Sequence, residues 1–113
     1  MIIWTTDHGD ALGCHGGHFD KDCYCPQEMI RVPLTIVYPG KIAVNQKNNA
    51  LVSSIDIAPT ILDAAGISFN SSIDGKSLIP LMKNKNIQWR SDLMVETHGH
   101  VHLHLGRTIV TDR

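Results

Sequence analysis

Asp7, His8 and Asp10 stand around Gly9, and His15, His18 and Lys21 follow within a short stretch. Carboxylate and imidazole are ligands for divalent cations, and the intervening glycine lets the backbone turn so that both side chains can meet one ion. The lysine ammonium is a compact charge that suits a small tetrahedral anion. Imidazole near neutral pH can also give a proton to a leaving group. No other segment of the chain concentrates chemistry in this way.

The elements around this cluster must position it. Met1–Thr6 is a short apolar run that ends in a turn signal, the pattern of a buried strand in a parallel sheet covered on both faces. Residues 9–26 then form a Gly-, Asp- and His-rich loop, longer than a plain connection needs. A helical turn at Pro26–Ile30 leads to a second strand, Leu34–Tyr38, stopped by Pro39-Gly40. The clearest helix has Asp56 as N-cap, Pro59 in its first turn and Gly66 just past its end. Ile57, Ile61, Leu62 and Ala65 fall at helical spacing, which predicts one face packed on the sheet. Asp74-Gly75 makes a turn, and Ser77 can cap a short helix carrying Leu78, Ile79, Leu81 and Met82. Leu93–Glu96 and Arg107–Val110 read as strands divided by the histidine-rich segment His98–His104. The order predicts an α/β fold with parallel strands at its heart and helices on the faces.

Composition narrows the function classes. The chain has 113 residues, 42% hydrophobic and 19% charged, which suits one small domain or part of a larger one. A formal net charge of −1 provides no global field for nucleic acid or an anionic membrane, so any anion must be captured locally. No apolar run approaches the roughly 20 residues that span a bilayer, and the first residues lack the basic and long apolar regions of a signal peptide. Cys14, Cys23 and Cys25 form an odd set without redox or zinc-knuckle spacing and read as incidental thiols.

The order of signals resembles the sulfatase family, within the alkaline-phosphatase-like metallohydrolases. The residues that carry the resemblance run in family order: Thr6-Asp7-His8-Gly9-Asp10, Leu12-Gly13, His15-Gly16 and Phe19-Asp20-Lys21 come first. Glu28, Ile30-Arg31-Val32-Pro33-Leu34 and Tyr38-Pro39-Gly40 follow, then Asp56-Ile57-Ala58-Pro59-Thr60, Ala65-Gly66, Asp74-Gly75 and Ser77-Leu78. Val95-Glu96, His98-Gly99-His100 and Arg107 close the series. The resemblance implies a partial sulfatase sandwich, mainly parallel strands with flanking helices, and hydrolysis of a small-molecule or glycan sulfate ester.

It also implies roles. Asp7 and His8 match positions that hold a divalent metal, most naturally Ca2+, which neutralises charge on a sulfate oxygen and orients the nucleophile. Lys21 matches a lysine that contacts the sulfate, and His100 falls in a pattern that lines the substrate. His15 or His18 would serve the leaving-group oxygen; the inserted Gly17 leaves both open. Family members make a formylglycine nucleophile from a Cys/Ser-x-Pro-x-Arg motif. Cys23-Tyr24-Cys25-Pro26-Gln27 fails that motif at its proline and arginine positions. The early paired aspartates of the metal site are missing as well. Residues 1–113 therefore read as an internal-to-C-terminal portion of a catalytic domain, inactive by itself; the compartment is left open, an exported or lysosomal type of location being compatible with the intact parent.

Three further features have plain readings beside their functional ones. Arg31 lies three residues after Glu28, the spacing of a helical ion pair. His98, His100, His102 and His104 alternate, so an extended strand would set them on one face as a metal-binding stripe, against the plainer reading of an exposed or substrate-lining loop. Asn70-Ser71-Ser72 is a glycosylation sequon in form, meaningful only in a secretory pathway. Two alternatives stand beside the sulfatase reading: a phosphoesterase of the same superfamily, with a Ser or Thr nucleophile and two zinc ions, and a non-catalytic metal-binding product.

Overall fold

The apolar, β-branched runs of the sequence become strands: β1 (Ile2–Thr5), β2 (Leu34–Val37), β3 (Asp92–His98) and β4 (Leu105–Thr111). The chain is described by a computed structural model that covers residues 1–20, 24–84, 86–99 and 105–111. Its helical elements are α1 (Cys14–Gly17), a single turn with left-handed backbone at His15 and Gly16, then α2 (Gln27–Ile30), α3 (Ile57–Ala65) and α4 (Ile79–Lys83), and a 3-10 turn, Ser54–Asp56, runs directly into α3. Two compact units result. A helical unit holds Ile36–Ser91 with Met1–Ile2, and a loop unit holds Ile3–Thr35 with Asp92–Val110.

β1 pairs with β2, and β3 with β4. The α/β class stands, but the parallel arrangement is corrected: both pairs are antiparallel. The connections explain it. After β1 the chain closes on itself, with the Gly9 N–H donating to the Met29 carbonyl at 2.8 Å, and it enters β2 from the end at which β1 stopped. The segment 99–104 between β3 and β4 is far too short for the crossover that parallel strands need. The expected burial of β1 on both faces is also overturned. Ile3 and Thr5 are half-buried, whereas Ile2 and Trp4 are 67% and 60% exposed. β3 and β4 alternate in the same manner, and Arg107 Nε donates to Glu96 Oε1 at 2.6 Å across their exposed face.

The helical unit is organised by a carboxylate. Asp56 has no exposed surface, and a buried charge of this kind survives only with a full set of donors. It has four: the Ser53 N–H at 2.9 Å, the Lys76 N–H at 2.8 Å, and Arg90 Nη1 and Nη2 at 2.7 Å each. The sequence suggested Asp56 as the cap of α3. Its side chain makes no such bond to α3 and instead closes a capping box with Ser53 on the 3-10 turn. Beside it, Trp89 Nε1 donates to the Leu51 carbonyl at 2.7 Å, and the Arg90 and Lys76 cations lie 5.3 and 5.8 Å from the Trp89 ring centre.

α3 differs from its expected face. Pro59 and Thr60 are its buried residues, while Ile61 and Ala65 are exposed, and it packs on the 3-10 turn and α4 instead of a sheet. A polar contact decides this orientation: Thr60 Oγ1 donates to the Asp56 carbonyl at 2.6 Å and accepts the Leu78 N–H at 2.9 Å. Leu78, Ile79 and Leu81 complete the core there. Gly66 ends α3 as expected, left-handed at φ 72°, with the Ile67 N–H returning to the Leu62 carbonyl at 2.9 Å. Gly75 serves close approach: a Cβ there would lie 2.0 Å from the Ile55 carbonyl oxygen.

Removing one partner of a buried, hydrogen-bonded pair leaves an uncompensated charge, whereas exposed pairs contribute little. Arg90→Ala is therefore expected to lower unfolding stability by about 3–5 kcal/mol in urea titrations followed by circular dichroism. Arg107→Ala should cost less than about 1 kcal/mol. Equal losses in the two variants would show that Asp56 is not the anchor of the helical unit.

Candidate functional site

At the end of β1 the backbone turns through Thr6, and the Thr6 hydroxyl reaches both Asp7 Oδ1 at 3.2 Å and the His8 carbonyl at 3.1 Å. Asp7 projects outward with its side chain 83% exposed, and His8 beside it is 39% exposed. His8 Nδ1 lies 2.7 Å from the Gly9 carbonyl oxygen, which can only accept, so Nδ1 carries the proton and Nε2 keeps its lone pair. That lone pair faces Asp7 Oδ2 at 3.6 Å. Two electron-pair donors so placed can share one cation, and the carbonyl behind the ring fixes its tautomer and tilt. The Asp7 carboxyl is held below its ordinary value of 3.8, first by its own backbone N–H and then by the His8 ring in its protonated form, so it is an anion at neutral pH.

Gly9 is required here for a reason other than the expected sharp turn. A Cβ at this position would sit 1.8 Å from the Glu28 carbonyl oxygen, so only glycine lets the strand end lie against α2.

The loop that follows is tightly folded. Asp10 Oδ1 accepts the N–H groups of Leu12 and Asp20, at 2.7 and 3.2 Å, and Ala11 is fully buried. The Gly13 N–H donates to the His18 carbonyl at 2.8 Å, and the His18 N–H to the Cys14 carbonyl at 3.0 Å. Leu12, Gly13, His15, Gly16, Gly17 and Asp20 all have positive φ. Three are glycines, but His15, at φ 53° and ψ 43°, bears the left-handed cost of on the order of 1 kcal/mol for a side-chain-bearing residue. The contortion aims His15 at α2, where Nε2 lies 3.0 Å from Glu28 Oε2. Glu28 therefore pairs with His15 and not, as the spacing suggested, with Arg31. The His15 hydrogen bond, ahead of the Glu28 backbone N–H, holds the Glu28 carboxyl below its ordinary 4.5. An ion pair this exposed adds little to folding, so stability does not account for the strain at His15.

His15 and His18, with Tyr24, Pro26 and Met29, line a concavity of about 290 Å³, and the His18 ring meets Tyr24 edge-on at 5.5 Å. The site residues read from sequence thus fall into two groups within the loop unit: Asp7 with His8, and His15 with His18. Lys21 and His100 lie outside the described residues, as do His102 and His104. Among the described residues no cluster of three or more metal-ligating side chains occurs. Sequence reasoning missed Thr6, whose place just before an Asp is the signature of a hydroxyl-bonded turn, and it missed the role of Glu28. Nothing local marks Glu28, because its partner is thirteen positions away.

Comparison with known proteins adds a second line. Residues 13–112 match the family model for N-sulphoglucosamine sulphohydrolase, C-terminal. The chain is 42% identical to bovine N-acetylglucosamine-6-sulfatase over 100 residues, covering 87% of this chain and 18% of that protein. It is 40% identical to the N-acetylglucosamine-6-O-sulfatase of Bacteroides thetaiotaomicron, covering 80% of this chain and 16% of that protein. The solved structure of BT4656 in complex with its substrate D-glucosamine-2-N,6-O-disulfate superposes with a TM-score of 0.86 at 34% identity, over 98% of this chain and 23% of that one. The chain thus spans about a fifth of the length of the relatives it matches.

Two measurements check this geometry. Gly9→Ala should cost at least about 2 kcal/mol, because backbone must move, whereas Gly16→Ala, with nothing within 4 Å of the new methyl, should cost about 1 kcal/mol from its φ of 87° alone. Equal losses on denaturation would discount the close approach at Gly9. Carbon-detected titration should place the Glu28 midpoint below 4.5 and move it up toward that value in His15→Ala. Since the folded value is depressed, the pair's contribution to stability is complete above pH 4.5 and fades as pH falls through the folded midpoint. An unmoved midpoint would mean that the His15 contact does not form.

Proposed function

This chain belongs to the sulfatase family, and we propose that it supplies part of the site for metal-dependent hydrolysis of a sulfate ester on an amino sugar. The observation that carries this reading is the convergence of Asp7 Oδ2 and His8 Nε2, 3.6 Å apart, at the end of β1. The donor set fits a divalent cation, with Ca2+ the natural choice for a carboxylate-led site. Such an ion supplies charge neutralisation at a sulfate oxygen and a template for attack. Thr6 and the Gly9 carbonyl fix the two ligand side chains before any ion arrives, so little side-chain entropy is lost on binding.

Lys21 is assigned as the clamp on the sulfate and His100 as a contact to the substrate, both by their match to the family pattern. His15 and His18 border a concavity whose floor, Pro26 and Met29 beside Tyr24, is apolar enough to receive the carbon face of a sugar. The relatives' names point to sulfated glucosamine as the substrate class, and a glycan ester therefore ranks ahead of a simple aryl sulfate as the natural substrate. No helix among the described residues is long and apolar enough to cross a membrane.

Isothermal titration of the chain with CaCl2 tests the reading. Asp7→Asn and His8→Ala are each expected to weaken binding at least about tenfold, and Asp10→Asn, whose carboxylate staples the loop, should change it less than about threefold. Unchanged affinity in both ligand variants would remove the metal assignment. The chain contains no Cys/Ser-x-Pro-x-Arg motif, so no turnover of an aryl sulfate is expected from it alone, and measurable turnover would refute the need for that nucleophile.

A further inference from the structure

We propose that Tyr24 is a specificity-determining residue, the platform on which the carbon face of the substrate's sugar ring stacks. The inference rests on the sulfatase reading and deepens it, by naming what holds the part of the substrate that does not react. Three observations on the loop unit lead to it. Tyr24 borders the concavity with 51% of its surface exposed, so a large aromatic area stays available to a ligand. The His18 ring meets it edge-on at 5.5 Å and 62°, a contact that covers at most one of the two faces of the tyrosine ring. The surface beside it is fixed. Met29 is buried, and the Pro26 carbonyl accepts the Met29 and Ile30 N–H groups at 3.0 and 3.2 Å. Pro26 itself is extended at φ −66° and ψ 159°, so the backbone two residues after Tyr24 is anchored to α2. Met29 also links the concavity to the turn that bears Asp7 and His8, since its carbonyl accepts the Gly9 N–H at 2.8 Å.

The occupant follows from the lining. Tyr24, Pro26 and Met29 make the surface largely apolar, and the imidazoles of His15 and His18 form its polar rim. A bare sulfate would find no donor on that floor, and an aliphatic chain would set carbon against the imidazoles. A pyranose has both characters, with hydroxyls around its edge and C–H groups across its face. Those hydrogens carry a slight positive charge and an aromatic face is negative, so the two attract beyond the area they bury. At about 290 Å³ the concavity lies at the small end of ligand sites and takes one ring. Stacking at a sugar face is remote from the sulfur–oxygen bond, so it is as strong in the ground state as in the transition state. Tyr24 therefore acts on KM and leaves kcat alone.

Two experiments decide it. In the chain itself, with glucosamine 6-sulfate as the probe, irradiating the aromatic protons should transfer saturation to the C–H groups of the sugar ring. The transfer should persist in Tyr24→Phe and be lost in Tyr24→Leu, which keeps apolar bulk without an aromatic face. Transfer that survives in Tyr24→Leu, or is missing from the native chain, overturns the proposal. For kinetics, this chain replaces the matching stretch of the Bacteroides relative. Tyr24→Leu is expected to raise KM for glucosamine 6-sulfate about tenfold and to change kcat less than about twofold, with Tyr24→Phe close to native. Inorganic sulfate has no ring to stack, so its inhibition constant should stay within about twofold. A fall in kcat with KM unmoved, or equal weakening of sugar and sulfate, would mark Tyr24 as a structural prop and overturn the proposal. Absence of turnover with native Tyr24 counts against the sulfatase reading instead, and the saturation transfer then decides the role of Tyr24 separately.

Discussion

A carboxylate sealed from solvent can exist as an anion only if the chain brings it donors, and Asp56 imposes that requirement on the helical unit. Its four bonds come from Ser53, Lys76 and Arg90, three points far apart in sequence. Satisfying them fixes the 3-10 turn, the passage after Asp74-Gly75 and the segment that carries Trp89. Once those are fixed, Thr60 can bridge the Asp56 carbonyl and the Leu78 amide, and α4 is seated on α3. Apolar burial alone would leave the orientation of α3 undetermined, because its helical apolar stripe includes the exposed Ile61. The polar requirement is the more stringent, since an unmet buried charge costs several kcal/mol while rotating one isoleucine outward costs about one or two.

The loop unit follows a different constraint, close packing of backbone on backbone. The strand end at Gly9 lies against α2 without room for a methyl group, and the Gly9 N–H is satisfied by the Met29 carbonyl. This contact joins the two halves of the candidate site. It holds the Asp7–His8 pair next to the helical turn that bears Glu28, and Glu28 in turn holds His15. The Asp7–His8 pair and the His15–Glu28 pair are therefore positioned by one short stretch of backbone, so a shift in α2 would disturb both.

The family was legible in the ordered motifs from Thr6 to Arg107, and residue type alone singled out Asp7, His8 and Lys21 as candidates for metal and anion chemistry. The helix ending at Gly66 and the strands ending at Thr5 and Val37 were legible too, since caps and turn glycines act over a few residues. What stayed hidden were pairings between distant positions. Glu28 had a plausible partner three residues away in Arg31, yet a strained loop delivers His15 to it instead. Asp56 had a plausible local task as an N-cap, yet Arg90 claims its carboxylate. In each case a local rule named an available partner, and a distant one with better geometry took its place.

The antiparallel pairing was hidden for a related reason. Apolar runs such as Met1–Thr6 specify a strand but not its neighbour's direction, which depends on where the intervening chain closes, here at the Gly9–Met29 contact. By itself the sequence determined most of the elements and the family. Tertiary structure alone decided which donor meets which carboxylate, why Gly9 and Gly75 must lack a side chain, and which of two nearby histidines is gripped by Glu28. The physical reason is one of range: propensity and capping act within a turn or two, whereas desolvation of a charge and exclusion of a methyl group are settled only when remote segments touch.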